Sequence, residues 1–496
     1  MRKALVFGFL LAARHVRMWL VGSPRLASRF MRPGHEKMLW RIGEWRAWLA
    51  FERAREEVPA YAAFVARYGG SVRVHGLTPD FSRVPETSKE NYVKRWSVEE
   101  RCVGGRLPER GAVIDESSGT SGEPSKWVRG PEERRDGRKL LHLGIRHSLG
   151  EKPFFVVNAF ALGPWATGMN LSMAIVDIAV LKSTGPDVSK IENTLRMFGP
   201  GYRYLVCGYP PFLKQLVDTA DLDWSAYDCL AAVGGEGMSE ALRTYLQRAF
   251  RQVYSSFGAS DLEINIAAEN DFTIAFRSLL AERPALGGAL ALPEHGSLPM
   301  VFQYNPLDYM IETNGDDELV ITICRLDTVA PKLRYNIHDL GCVRRFPAVR
   351  EALGHLGVAP DELDARALDL PLLFHYGRSD ATVAFYGANL AIADVQEAVY
   401  SVPELAERVA GFSLLLGEDA AANKTLEIAF ELRPGAEPPS DARAGFLARL
   451  ARINQDWREA SRFMPAAQPT LAFHPAGTGP FDGDDIRLKH RYVRQS

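Results

Sequence analysis

Apolar positions recur at helical spacing over residues 36 to 69, where Trp40, Ile42, Trp45, Leu49 and Phe51 are interleaved with charges. That period predicts helix. Val58–Pro59–Ala60–Tyr61 interrupts it and starts a second helix. Residues 131 to 147 predict a further, basic helix. Four short apolar runs read as buried strands: Phe154–Asn158 after Pro153, Met173–Leu181, Tyr204–Gly208 and Leu230–Gly234. Each leads through a Gly or Pro turn into a helical stretch, and that alternation implies parallel strands covered by helices. From about 270 to 345 the pattern changes to short β-like runs between turns, such as Glu318–Ile323. This predicts an antiparallel, barrel-like subdomain. Residues 346 to 370 read as a charged peripheral insert. Beyond 380 comes a smaller unit with helices at Asp394–Tyr400 and Asp441–Ser461 and strands at Phe412–Leu416 and Leu426–Leu432. The expected fold is α/β: a large N-terminal domain of parallel sheets covered by helices plus a small antiparallel β subdomain, and a small α+β C-terminal domain joined by a hinge. The divisions fall at residues 1–35, 36–378 and 379–496.

Length supports more than one domain, since 496 residues exceed what one core usually holds. Lys plus Arg (59) nearly balances Asp plus Glu (61), so nothing points to a nucleic acid partner. Cys102, Cys207, Cys229, Cys324 and Cys342 are scattered without C-x-x-C spacing. They form neither a zinc site nor a disulfide framework, and buried free thiols in a reducing cytoplasm are expected. Met1–Arg2–Lys3 followed by Ala4 to Ala13 is like a short signal peptide, but Arg14, His15 and Arg17 interrupt it. It is too short to span a bilayer. A helix packed on the body and a helix lying on a membrane face both fit, and both are favoured over export.

Candidate chemistry concentrates in Ser117–Ser118–Gly119–Thr120–Ser121–Gly122–Glu123–Pro124–Ser125–Lys126. Glycines let backbone N–H groups turn toward an anion, hydroxyls add donors, and the lysine adds a mobile charge. Such a run suits a triphosphate, though it lacks the G-x-x-x-x-G-K-[ST] of a P-loop. The bland alternative is a Ser/Gly-rich surface turn. The run resembles the S-S-G-T-T-G-x-P-[KT] signature of adenylate-forming enzymes, and is most similar to the phenylacetate–CoA ligase branch. Four later segments follow in that family's order. Gly234–Gly235–Glu236–Gly237–Met238–Ser239 is similar to G-A-E-P-[WM]-[ST]. Tyr254–Ser255–Ser256–Phe257–Gly258–Ala259–Ser260–Asp261 is similar to Y-D-x-Y-G-x-[ST]-E. Arg334–Tyr335–Asn336–Ile337–His338–Asp339–Leu340 resembles R-Y-R-T-G-D-L. Gly377–Arg378–Ser379–Asp380 with Tyr386–Gly387–Ala388–Asn389–Leu390 resembles G-R-S-D-D…R-G-V-N-[VL].

The resemblance implies an ATP-dependent, AMP-forming ligase that activates an apolar or aromatic carboxylic acid and passes it to coenzyme A. Ser117, Ser118, Gly119, Thr120, Ser121, Gly122 and Lys126 would hold the phosphates. Lys126 stands one place later than usual because Ser125 follows Pro124. Gly235, Glu236, Phe257, Gly258 and Ser260 would border the adenine, and Asp339 would accept the ribose hydroxyls. Arg378 would reach ribose or phosphate, and Asp380 would be the pivot of the small domain. Mg2+ would be held by Asp261, which replaces the family's glutamate, or by Glu263. Asn158–Gly168 would border the acid. The family's C-terminal lysine is missing from Ala476–Gly477–Thr478–Gly479–Pro480–Phe481, where Pro480 stands in its place. Either an insertion moves it to Lys489, or it is absent. Two other readings stay open: adenylation with a different acceptor (an amine, a carrier-protein thiol or an inorganic nitrogen nucleophile), and a degenerate nucleotide-binding module. The acid, the oligomeric state and membrane association are not fixed by the sequence.

Overall fold

The computed structural model describes residues 2–21, 26–27, 31, 34–116, 125–150, 152–163, 166–292, 295, 298–378, 382–385, 388–418, 424–440, 442–454, 457–458, 461, 468–482 and 492–495. Helix α1 (Arg2–Val21) leads to α2 (Glu36–Glu57) and α3 (Pro59–Tyr68), which Val58 and Pro59 separate as the sequence predicts. Two hairpins follow, β1 (Arg73–His75) with β2 (Thr78–Asp80), and β3 (Val113–Glu116) with β4 (Lys126–Arg129). Then come α4 (Pro131–Leu149), β5 (Phe155–Asn158), α5 (Ala166–Ile175), β6 (Val180–Ser183), α6 (Val188–Phe198), β7 (Arg203–Gly208), α7 (Pro210–Thr219), β8 (Asp228–Gly234), α8 (Glu240–Leu246) and β9 (Val253–Phe257). The Met173–Leu181 run is therefore not one strand. Its first part ends α5, and only Val180 and Leu181 join the sheet, because a short apolar run fits a buried helix as well as a strand.

The chain continues through β10 (Ala267–Ala268), α9 (Asp271–Glu282), α10 (Pro284–Leu290), β11 (Met300–Tyr304), β12 (Tyr309–Thr313), β13 (Glu318–Ile323), β14 (Tyr335–Arg344), α11 (Phe346–His355), α12 (Pro360–Leu363) and β15 (Leu372–Arg378). The antiparallel region does not close into a barrel. Its strands extend one 11-stranded sheet ordered β12-β13-β14-β15-β11-β10-β9-β8-β7-β5-β6. Strands β5 to β9 pair in parallel, and every pair from β9 to β12 is antiparallel. Nor is 346–370 a peripheral insert. Phe346, Val349 and Leu353 of α11 are buried against Leu372 and Phe374 of the sheet. The charges on this segment masked its apolar face.

The smaller unit contains β16 (Thr382–Phe385), β17 (Ala388–Ala391), α13 (Ile392–Tyr400), α14 (Pro403–Arg408), β18 (Val409–Glu418), β19 (Lys424–Leu432), α15 (Ala442–Ile453), β20 (Thr470–His474) and β21 (Val493–Gln495). A four-stranded sheet ordered β20-β19-β18-β21 encloses a separate core with Phe412, Ile428, Phe446 and Trp457. At the other terminus α1 packs on the body. Val6 and Leu10 are buried, Phe9 meets Trp45 edge-on at 5.7 Å, and Lys3 lies 3.2 Å from both Glu52 and Glu56. Among the described residues no helix is long and apolar enough to cross a membrane.

Candidate active site

One large cavity, about 1280 Å³, opens beside the ends of β8, β9, β14 and β15. Four of the sequence-matched segments meet there: Gly235 and Glu236, Phe257 to Asp261, Asp339, and Arg378 all line it. Asp339 and Arg378, far apart in the chain, are direct partners across β14 and β15. Of the hydroxyl-rich run, Ser117, Ser118, Gly119, Thr120, Ser121 and Gly122 lie outside the described residues, as do Asp380 and Lys489. The flanks of the run are strands β3 and β4, which pair Glu116 with Lys126 at the end nearest the run. Lys126 is exposed there, and Glu116 faces the cavity.

The Gly234–Glu236 turn needs glycine. Gly235 has φ of 81°, and a Cβ there would lie 2.6 Å from the Tyr209 ring. Beyond it, Glu236 accepts a hydrogen bond from Tyr492 Oη at 2.9 Å, and Ser239 N donates to Gln396 Oε1 at 2.8 Å. The smaller unit thus closes over this turn, and Ile392, Gln396 and Tyr492 line the cavity. Burial and the neighbouring Glu236 raise the Tyr492 hydroxyl well above the ordinary tyrosine value.

After β9 the chain turns sharply at Gly258, where a Cβ would meet the backbone of Ile264 at 2.4 Å. Arg129, at the end of β4, holds this turn. Its guanidinium donates to Ser260 O at 2.6 Å and to Leu262 O, and pairs with Asp115 at 2.6 Å. Asp115 is buried and also accepts from Asn170 of α5 at 3.0 Å through both oxygens. One polar network therefore joins the β3–β4 hairpin, the Asp261 turn and helix α5. Asp261 Oδ2 accepts from Tyr335 Oη at 2.9 Å. Glu263 is engaged otherwise: buried Arg325 pairs with it, and Tyr309 Oη donates to it.

Phe257 is buried, with its ring 4.8 Å from that of His375, whose Nε2 lies 3.0 Å from Asp339 Oδ2. His338, just before Asp339, has φ of 62°. It stands where the resemblance expects glycine, in the left-handed region that L-residues rarely adopt. Asn336 Oδ1 accepts from His338 N at 2.7 Å, and Glu318 lies 3.0 Å from the His338 ring; these contacts hold the conformation. Behind the site, Lys332 is buried with its ammonium 4.6 Å over Trp127. Burial, then Arg101 and Arg129, push its pKa down to about 7. Burial also raises the Glu133 carboxyl, whose Oε2 accepts from Val329 N at 2.9 Å.

The residues present fit a divalent cation in one way. Asp261 offers a cavity-facing carboxylate whose Oδ2 alone is bonded to Tyr335. Mg2+ needs only one or two protein carboxylates beside waters and phosphate oxygens. Among the described residues no group of three or more His, Cys, Asp and Glu side chains forms a metal cluster. The five cysteines are all free and buried. The Ala476–Phe481 segment is a turn on the smaller unit, with Gly477 N donating to Glu431 Oε1 at 2.8 Å. Sequence reasoning missed His375, Arg129, Asp115 and Tyr492. His375 alone had a local signal, because it lies two residues before the matched Gly377–Arg378.

No protein-family profile matches this chain. No curated protein matches it either. Solved structures do. It is similar to 2-hydroxyisobutyryl-CoA ligase in the postadenylation state with R3-HIB-AMP, at TM-score 0.67 and 12% identity, over 93% of this chain and 89% of that one. It is also similar to an open conformation of that ligase with 2-HIB-AMP and CoA, at TM-score 0.54 and 12% identity, over 93% and 91%. The thioesterification state of the same ligase gives 0.53 at 13% identity, over 93% and 89%. This chain has the fold of an adenylate-forming acid–CoA ligase.

Proposed function

We propose that the protein is an ATP-dependent, AMP-forming ligase that activates an apolar or aromatic carboxylic acid and transfers the acyl group to coenzyme A. The carrying observation is the convergence of Glu236, Asp261, Asp339 and Arg378 from four separate segments on one cavity. In this reading Asp339 accepts the ribose hydroxyls, with His375 fixing its carboxylate. The Phe257 face borders adenine. The Ser117–Lys126 run and Arg378 hold phosphates, and Asp261 is the protein ligand for Mg2+, with Glu263 kept as its neighbour. Bound Mg2+ would neutralise phosphate charge. The acid's carboxylate oxygen attacks the α-phosphorus, and pyrophosphate leaves. The coenzyme A thiol then loses its proton to solvent and its sulfur attacks the acyl carbon, and AMP leaves. The protein's work is positioning and charge placement. Rotation of the smaller unit about Asp380 and a role for Lys489 belong to the same proposal.

Acid-dependent exchange of labelled pyrophosphate into ATP tests the first half-reaction. Thioester formation with and without coenzyme A tests the acceptor. Exchange without thioester points to another acceptor, and no exchange with any acid rejects the ligase. The exposed Leu5, Phe7 and Leu11 of α1 support a peripheral membrane contact at the cytoplasmic face, which liposome co-sedimentation tests.

A further inference from the structure

One face of the main sheet is covered in two separate patches. Over β5, β7 and β8, helices α4 and α5 bury Val156, Leu205 and Leu230. Over β11, β14 and β15, helices α9 to α11 bury Val301, Cys342 and Phe374. Between these patches lie β9 and β10, which α9 reaches through its first residue, Asp271. There the same face carries a cross-strand row of small and polar residues: Gly234 opposite Ser256, Ser256 opposite Ala268, Ala268 opposite Gln303. The cavity occupies this gap, and Gly144, an exposed residue of α4, is among the residues that line it. No atom lies within 4 Å of a Cβ built on Gly144. Arg366 links the two layers, donating to His147 O of α4 at 2.8 Å and pairing with Asp271 of α9.

The polar groups on this floor are already satisfied. Tyr254 Oη donates to Asp271 at 2.8 Å, and Ser256 Oγ to Val233 O at 3.4 Å. Gln303 Nε2 donates to Leu368 O at 2.9 Å and Leu370 O at 3.0 Å, and its Oε1 accepts from Asn270 at 2.9 Å. A polar ligand would find few open partners, whereas an apolar one displaces water without stranding any group. From β8 to β11 the floor spans three strand spacings, roughly 14 Å. That is longer than a single aromatic ring needs and suits an extended chain.

Resting on the ligase reading, we propose that the acid is a long, slim aliphatic carboxylic acid whose tail lies across β8, β9 and β10 beneath α4, with Gly144 setting how long a tail fits. The full-length protein is assayed by pyrophosphate exchange with straight-chain acids from butanoate to hexadecanoate, and with benzoate and phenylacetate. kcat/KM should rise at least about tenfold from butanoate to dodecanoate, since each buried methylene adds favourable transfer energy. Gly144→Leu puts a side chain into open space and favours the helix over glycine. It should lower dodecanoate kcat/KM at least about tenfold while leaving butanoate unchanged, and Ala268→Leu should do the same from the floor. Binding of cis-parinarate, read by its fluorescence without ATP, tests the slot apart from the chemistry and should weaken in both variants. Highest activity with benzoate, phenylacetate or butanoate overturns the proposal and leaves the ligase standing, as does a length profile unaltered by both variants. Parinarate binding that weakens in both variants, with no exchange for any acid, upholds the slot and rejects the ligase. Absence of both signals rejects both.

Discussion

Replacing Arg129 with methionine removes the guanidinium that joins three parts of the site. Arg129 and Asp115 are both buried, and the pair is 2.6 Å apart. Breaking such a pair from one side costs about 3–5 kcal/mol, because the remaining charge stays buried. Two effects adjust that figure. Asn170 still donates to both Asp115 oxygens, which softens the loss. The carbonyls of Ser260 and Leu262 lose their donor, which adds to it. A net loss of about 4 kcal/mol is expected, read as a lower urea midpoint for the large domain. Arg129→Lys keeps the charge but places one ammonium where a planar fork serves three acceptors, so about 1–3 kcal/mol should go. Asp115→Asn combined with Arg129→Met should cost less than the sum of the single changes, by at least about 2 kcal/mol. The folded lysine variant should also need more Mg2+ for half-maximal exchange, because the Asp261 turn has lost its clamp. Strict additivity in the double variant, or a loss under about 1 kcal/mol for Arg129→Met, would refute the view that this network holds the site together.

Asp261→Asn should raise the Mg2+ concentration for half-maximal exchange with little change in stability, whereas Glu263→Gln should chiefly lower stability by leaving Arg325 short of its partner; the reverse pattern would move the ligand to Glu263. Asp339→Ala should weaken ATP binding by about 1.5–3 kcal/mol in calorimetric titration, the range for hydrogen bonds to a charged group. Lys332→Met should stabilise the protein by about 1–4 kcal/mol near pH 6. With the native pKa at about 7 and the ordinary value at 10.5, the unfolded chain holds more protons between those limits. Wild-type stability therefore rises with pH across that window, and the advantage of methionine should shrink toward pH 10 in urea titrations.

The site was legible where chemistry forces local backbone shape. Gly235 and Gly258 occupy positions that a side chain could not enter, so their segments could be matched from sequence order alone. Helices α2 and α3 were equally plain, because a proline and a 3.6-residue period are local facts. The antiparallel strands were visible as strands but not as members of the same sheet, since local pattern carries no pairing information. His375 and Arg129 escaped for a related reason. Each acts through a partner from another segment, Asp339 or the Ser260–Leu262 turn, and no spacing marks such a pair.

The gap over β8 to β10 was least legible of all, and its origin explains why. Ala232, Gly234 and Ala268 look like ordinary small residues of buried strands, and Gly144 like a weak point in a helix. What makes them a slot is that α4–α5 and α9–α11 cover opposite ends of one sheet face and stop short of each other. The sheet runs on from parallel to antiparallel strands beneath both layers, so the uncovered stretch lies where the two halves join. The glycine turns at Gly235 and Gly258 leave from the ends of β8 and β9. In the proposed reading, a ligand held at these turns by its charged end lays its remainder across this floor, and residues that carry no chemistry of their own set which acid fits.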